Sequence, residues 1–318
     1  MDMLKPFFFA LLTAWLAPAV SAQSLTESDR AAMVEGESRM ADLLQVVYAD
    51  SSQQARFQAT RDLIKELVQT LDRPHSFTYS FAALPGLSIQ YAPDSTFRVF
   101  TWELNIDRDQ YRHFGAIQRR ADTLALTPLV DRGDSWLENP ENAVVGADNW
   151  LGYAVYDVVP GGTYEGKPYY FVLGYDSYGA FRRRKILDVV RFDADGAPRF
   201  GLPVFTTYTD SGLLLADRAR IILEYAAEAT VALREDSELG GILYENLIMM
   251  PGSNGEGPVQ VPDGSYHLLE MDDRGQWLEK EQVFTHKYEE APREVPKPSE
   301  GRDIFGRGNK GDGGSGGR

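Results

Sequence analysis

After Pro74 this 318-residue chain shows no helix-length apolar period. Short apolar runs, alternating or continuous, follow one another across tight turns instead. The runs fall at 77–81, 87–91, 97–102, 111–119, 123–129, 150–158, 169–174, 185–192, 204–208, 220–225, 230–234, 241–249, 265–271 and 276–283. Turn chemistry separates many of them: Pro93-Asp94-Ser95, Pro160-Gly161-Gly162, Asp193-Ala194-Asp195-Gly196, Pro262-Asp263-Gly264 and Asp272-Asp273-Arg274-Gly275. Short connections imply antiparallel neighbours, because parallel pairs need long crossovers. The expected fold is mainly β, with antiparallel meanders closed as a sandwich, arranged as a propeller or left as an open curled sheet. The triple Leu213-Leu214-Leu215 is the one place where a short helix is expected within this region.

Ahead of the strands lies a helical pattern. Met33, Met40, Leu43, Leu44 and Val47 recur at helical spacing, then Phe57, Leu63, Ile64, Leu67, Val68 and Leu71 do so again. Ala49-Asp50-Ser51-Ser52 breaks the two. Thr26 or Ser28 is expected to cap the first helix and Asp50 or Ser51 the second. An antiparallel hairpin over 23–74 follows, with its stripes buried on the β region at 75–288.

Residues 1–22 read as a signal peptide. Lys5 supplies the positive start, Phe7 to Leu16 the apolar run, and Val20-Ser21-Ala22 the small residues of a cleavage site, with Gln23 as the first mature residue. The apolar stretch 6–20 is 15 residues long, short of the roughly 20 that span a bilayer. The chain has no Cys. That excludes thiol catalysis, Fe–S clusters, Cys-based zinc sites and an acylated N-terminal Cys. Beside an export signal, it also points to a bacterial periplasmic or secreted protein rather than a disulfide-stapled one.

The net charge of −15 resides on residues 23–288, because acidic and basic residues balance in the tail. Such a body repels nucleic acid and anionic headgroups. Segment 289–318 opens with Pro and Glu and ends in Gly, a composition that points to disorder. The basic cluster Arg182-Arg183-Arg184-Lys185 reads as a solvated strand start, with a docking patch as the alternative.

Few motifs in the sequence carry chemistry. No Gly-x-Ser-x-Gly elbow exists, and Ser253 sits in a turn-rich loop. There is no Walker loop. The four histidines, His75, His113, His267 and His286, are isolated in sequence, so no zinc motif appears and a metal site would have to be assembled from distant segments. Asp193-Ala194-Asp195-Gly196 lacks the later ligands of a calcium loop and reads as a hairpin turn. No cofactor is expected. Glu103, Asp176, Asp188 and Glu224 lie on or beside apolar strands. They are the candidate carboxylates for a glycan- or peptide-cleaving reaction, which needs two of them facing each other.

One resemblance bears on the β region. Ser95 to Trp102 with Gln118, Tyr169 to Asp176, Lys185 to Val190, Pro203-Val204-Phe205, Arg220 to Tyr225, Leu243 to Leu247 and Pro262 to Tyr266 are similar to segments of a group of uncharacterised exported β-rich proteins typical of Bacteroidota. The resemblance implies location and architecture, and no catalytic residue. Two functions are carried forward. One is a non-enzymatic exported protein that binds an envelope protein or an extracellular ligand. The other is an envelope hydrolase working through carboxylates.

Overall fold

The computed structural model describes residues 25–82, 84–133, 139–209, 212–252, 255 and 257–282. The signal-peptide segment with Ala22 and Gln23, Ser253, His286 and the 289–318 tail lie outside them. Helix α1 (Glu27–Ala49) is capped by Thr26, whose hydroxyl accepts from the Asp29 amide. Helix α2 (Gln53–Leu71) is capped by Ser52 rather than by Asp50 or Ser51. Asp50 instead closes the C-terminus of α1. No helix among the described residues is long and apolar enough to cross a membrane.

The strands are β1 (Ser88–Tyr91), β2 (Phe97–Asp107), β3 (Gln110–Arg119), β4 (Ala125–Val130), β5 (Val145–Gly146), β6 (Ala154–Tyr164), β7 (Lys167–Asp176) and β8 (Arg182–Phe192). Then follow β9 (Pro198–Phe200), β10 (Phe205–Tyr208), β11 (Leu214–Arg218), β12 (Ile221–Ala226), β13 (Leu233–Asp236), β14 (Gly241–Pro251), β15 (Pro258–Met271) and β16 (Trp277–Gln282). The first sheet runs β1-β2-β3-β4, the middle sheet β5-β9-β8-β7-β6 with β12 also on β8, and the third β11-β10-β16-β15-β14-β13. Among the described residues every pair of these strands is antiparallel except β10 with β16.

The protein is mainly β, and its sheets stack face to face in the sandwich-like manner. Side-chain alternation along β2 shows how. Phe97 and Val99 face the middle sheet, while Phe100 and Trp102 meet Met33, Met40, Leu63 and Leu67 of the helical hairpin. The middle sheet is covered on both faces. On β7 and β8, Tyr170, Val172, Ile186 and Val190 pack toward the first sheet. Phe171, Leu173, Leu187 and Val189 pack toward Ile242, Leu269 and Trp277 of the third. Burial on both faces is why these strands read as continuous apolar runs rather than alternating ones.

Four local expectations are corrected. Residues 77–81 are not a strand. His75 and Phe81 take left-handed backbone conformations, and Ser76–Thr78 forms a short 3-10 turn. The cause is Arg98, fully buried on β2, whose guanidinium donates to the carbonyls of Ser76 and Tyr79, to Gln118 Oε1 and to the Tyr91 hydroxyl. Those carbonyls solvate a buried cation instead of joining a ladder. Pro160-Gly161-Gly162 is a bulge inside β6, where bare Gly161 lies under the Tyr169 ring and its carbonyl accepts from Trp277 Nε1. Pro262-Asp263-Gly264 lies within β15, near a register shift in its β14 partner. Leu214 and Leu215 belong to strand β11, not to a helix.

Candidate functional site

Polar chemistry concentrates at two places, each at the margin of one interlayer core. One is a groove between the middle and third sheets, about 730 Å³ in volume. Tyr244 on β14 and His267 on β15 are directly opposite in register and share the inward face with Ile242 and Leu269. Their rings stack at 5.2 Å. His267 Nδ1 lies 2.6 Å from Glu279 Oε1, and Nε2 lies 2.9 Å from Asn246 Oδ1. Burial pushes the Glu279 carboxyl up, but the His267 hydrogen bond, the Tyr208 amide, the His267 charge and the Tyr244 hydroxyl outweigh it, leaving the group below the usual carboxylate range. Arg218 donates to Thr207 Oγ1 and pairs with Glu141.

The opposite wall of the groove is β12. Its rungs to β8 fix the direction of its backbone. The Ile222 amide donates to the Glu141 carboxylate, so it points away from β8. In an antiparallel pair that direction alternates, so the Glu224 backbone also points outward. Among the described residues no strand pairs with that edge. A second, smaller hollow of about 360 Å³ continues along it past Glu224 and Tyr225, sharing Met249 and Gln260 with the first. The rim carries apolar side chains: Met249 is 63% exposed, and Tyr208 and Ile248 are exposed beside it.

The second place lies between the first and middle sheets. Glu103 on β2 and His113 on β3 are directly opposite in register. His113 Nε2 is 3.0 Å from Glu103 Oε2 and 3.9 Å from Oδ1 of Asp176, at the end of β7. Its Nδ1 is 3.7 Å from Asp131 Oδ2, and its own amide donates to the same oxygen at 2.8 Å. The Ser177 hydroxyl donates to Glu103 Oε1 at 2.8 Å. Burial pulls the His113 imidazolium down, but Asp131, Glu103 and the Asp176 charge outweigh it and push its pKa up to about 9. Burial raises the Asp176 carboxyl, and His113, the Tyr178 amide and Arg184 only partly offset that.

Of the four candidate carboxylates, the fold brings Glu103 and Asp176 together, with His113 against both. Asp188 and Glu224 are spent elsewhere. Asp188 is fully buried against Arg220 at 3.1 Å and accepts from the Tyr153 hydroxyl. Glu224 holds Arg182 and Arg184, both at 2.8 Å, so the basic cluster is partly neutralised within the fold. Arg183 donates to local carbonyls, and Lys185 sits 4.0 Å over the Tyr156 ring. Asp193 and Asp195 lie in the β8–β9 turn, where Asp193 binds Arg199 at 2.7 Å. His75 stands apart, near Asp122.

Sequence reasoning missed the roles of His113, Asp131, Tyr244, His267 and Glu279. Hairpin register was only a partial signal for the first: a turn over 108–109 pairs 107 with 110 and would set 103 opposite 114, and the bulge between Asn105 and Asp107 shifts its partner to 113. No family model, curated protein or solved structure matches this chain.

Proposed function

We propose that this is an exported, non-enzymatic binding protein whose groove takes an extended peptide. The observation that carries the reading is the outward-facing edge of β12, unpaired among the described residues and running along the groove. Such an edge recognises a peptide main chain by adding a strand, with pockets reading alternate side chains. Tyr244, Arg218, Asn246 and Gln260 supply donors and acceptors there, and Met249 supplies an adaptable apolar contact. Export rests on the 1–22 pattern and the absence of Cys, and it places the partner in a bacterial envelope or outside the cell. The hydrolase alternative has less support. Glu103 and Asp176 do converge, but His113 contacts both and neither carboxylate lines the groove.

The test is a fluorescence-anisotropy screen of extended peptides, repeated with backbone N-methylated copies of each binder. The reading expects micromolar binding that N-methylation at alternate residues and Met249→Arg both weaken at least tenfold. Cleavage of the peptide, seen by mass spectrometry, or binding indifferent to both changes overturns it.

A further inference from the structure

We infer that Glu103, His113 and Asp176 form a binding site for a divalent transition-metal ion of the zinc class, which ties the first sheet to the middle one. Their ligand atoms come from three separate strands and all lie within 4.8 Å of one another. A tetrahedral ion with bonds of about 2.1 Å holds its ligand atoms roughly 3.4 Å apart. The Nε2-to-oxygen separations of 3.0 and 3.9 Å bracket that spacing. The arrangement behind the ring fits as well. Asp131 faces Nδ1 and leaves Nε2 directed at the two carboxylates, the carboxylate–histidine–metal order in which the outer carboxylate fixes the ring. Asp131 is itself held by the amides of His113 and Gly133.

Charge points the same way. Three carboxylates surround one imidazole; a proton on His113 neutralises one of them, and Arg184, already paired with Glu224, only partly offsets Asp176. A divalent ion in place of the Nε2 proton neutralises two. Asp176 Oδ1 accepts from the Tyr178 amide, and no hydrogen bond reaches its other oxygen among the described residues. One imidazole nitrogen with two carboxylates suits zinc or manganese better than calcium, which takes six to eight oxygens. Three protein ligands leave a fourth position for water.

The experiment is isothermal titration of the untagged, chelator-treated full chain with Zn²⁺, with Ca²⁺ as the comparison, alongside Asp176→Asn and His113→Gln. X-ray absorption at the zinc edge is measured on the wild type, so the result does not depend on how well the variants fold. The site predicts one Zn²⁺ per chain, at least tenfold tighter than Ca²⁺ and at least tenfold weaker in either variant. It also predicts an absorption spectrum with one imidazole and oxygen ligands. No zinc binding, binding unchanged in folded variants, or a spectrum lacking imidazole overturns it. Loss of zinc on His267→Ala instead would place the ion at the groove and overturn it equally.

Discussion

Gly152 lies beside the partly buried carboxylate of Asp131 in a left-handed conformation, with φ of 82°. A Cβ there would stand 2.3 Å from Asp131 Oδ1. Only glycine gives both the backbone and the space. Gly152→Ala is expected to lower unfolding free energy by about 1–3 kcal/mol in a denaturant titration. Arg98 carries a larger share. Replacing it with Met leaves the Ser76 and Tyr79 carbonyls and Gln118 without their donor, at about 1–3 kcal/mol for each buried acceptor left unsatisfied. A denaturant midpoint within error of wild type would refute that. Glu279 gives a pH prediction. Its folded pKa is depressed below 4.5, so its contribution is complete above that value and is lost as pH falls through the folded pKa. Wild type should therefore exceed Glu279→Gln in stability at pH 7 and lose that lead under acid, as followed by thermal unfolding across pH.

At the scale of elements, what could be read in advance depended on how local the cause was. The two helices were legible because their stripes repeat within each segment. β2, β7, β8 and β14 were legible because continuous or alternating apolar runs need a sheet. Residues 77–81 misled because their alternation is real, but a cation twenty residues on claims their carbonyls. Pro160-Gly161-Gly162 carries turn residues that here make room for Tyr169. Gly and Pro mark departure from regular pairing without saying whether a turn or a bulge results. The candidate sites were less legible, because Asp176 meets His113 across two sheets and Glu279 reaches His267 from a neighbouring strand. The joint between β12 and β8 can be tested the same way. Asp188→Asn leaves Arg220 buried without its anion and is expected to cost about 3–5 kcal/mol, measured by denaturant unfolding.

Among the described residues the molecule is a helical hairpin followed by three stacked sheets, and each interlayer core gives way at one margin to polar chemistry. Between the first and middle sheets that margin is the closed cluster around His113. Between the middle and third it is the open groove. The middle sheet is covered on both faces, yet β12 leaves a strand edge facing that groove. Natural sheets usually blunt such edges, because free edges pair with other chains. Here Glu141 caps the Ile222 amide and the Glu224 backbone remains directed outward. The central claim is that this edge receives a peptide strand. Amide hydrogen exchange at Glu224 tests it most directly, in the free protein and saturated with a peptide from the anisotropy screen. Fast exchange in the free protein that slows at least tenfold on binding, while Ile221 and Leu223 are slow throughout, is the predicted result. A Glu224 amide already protected in the free protein, or one that exchanges equally fast with peptide bound, would contradict it.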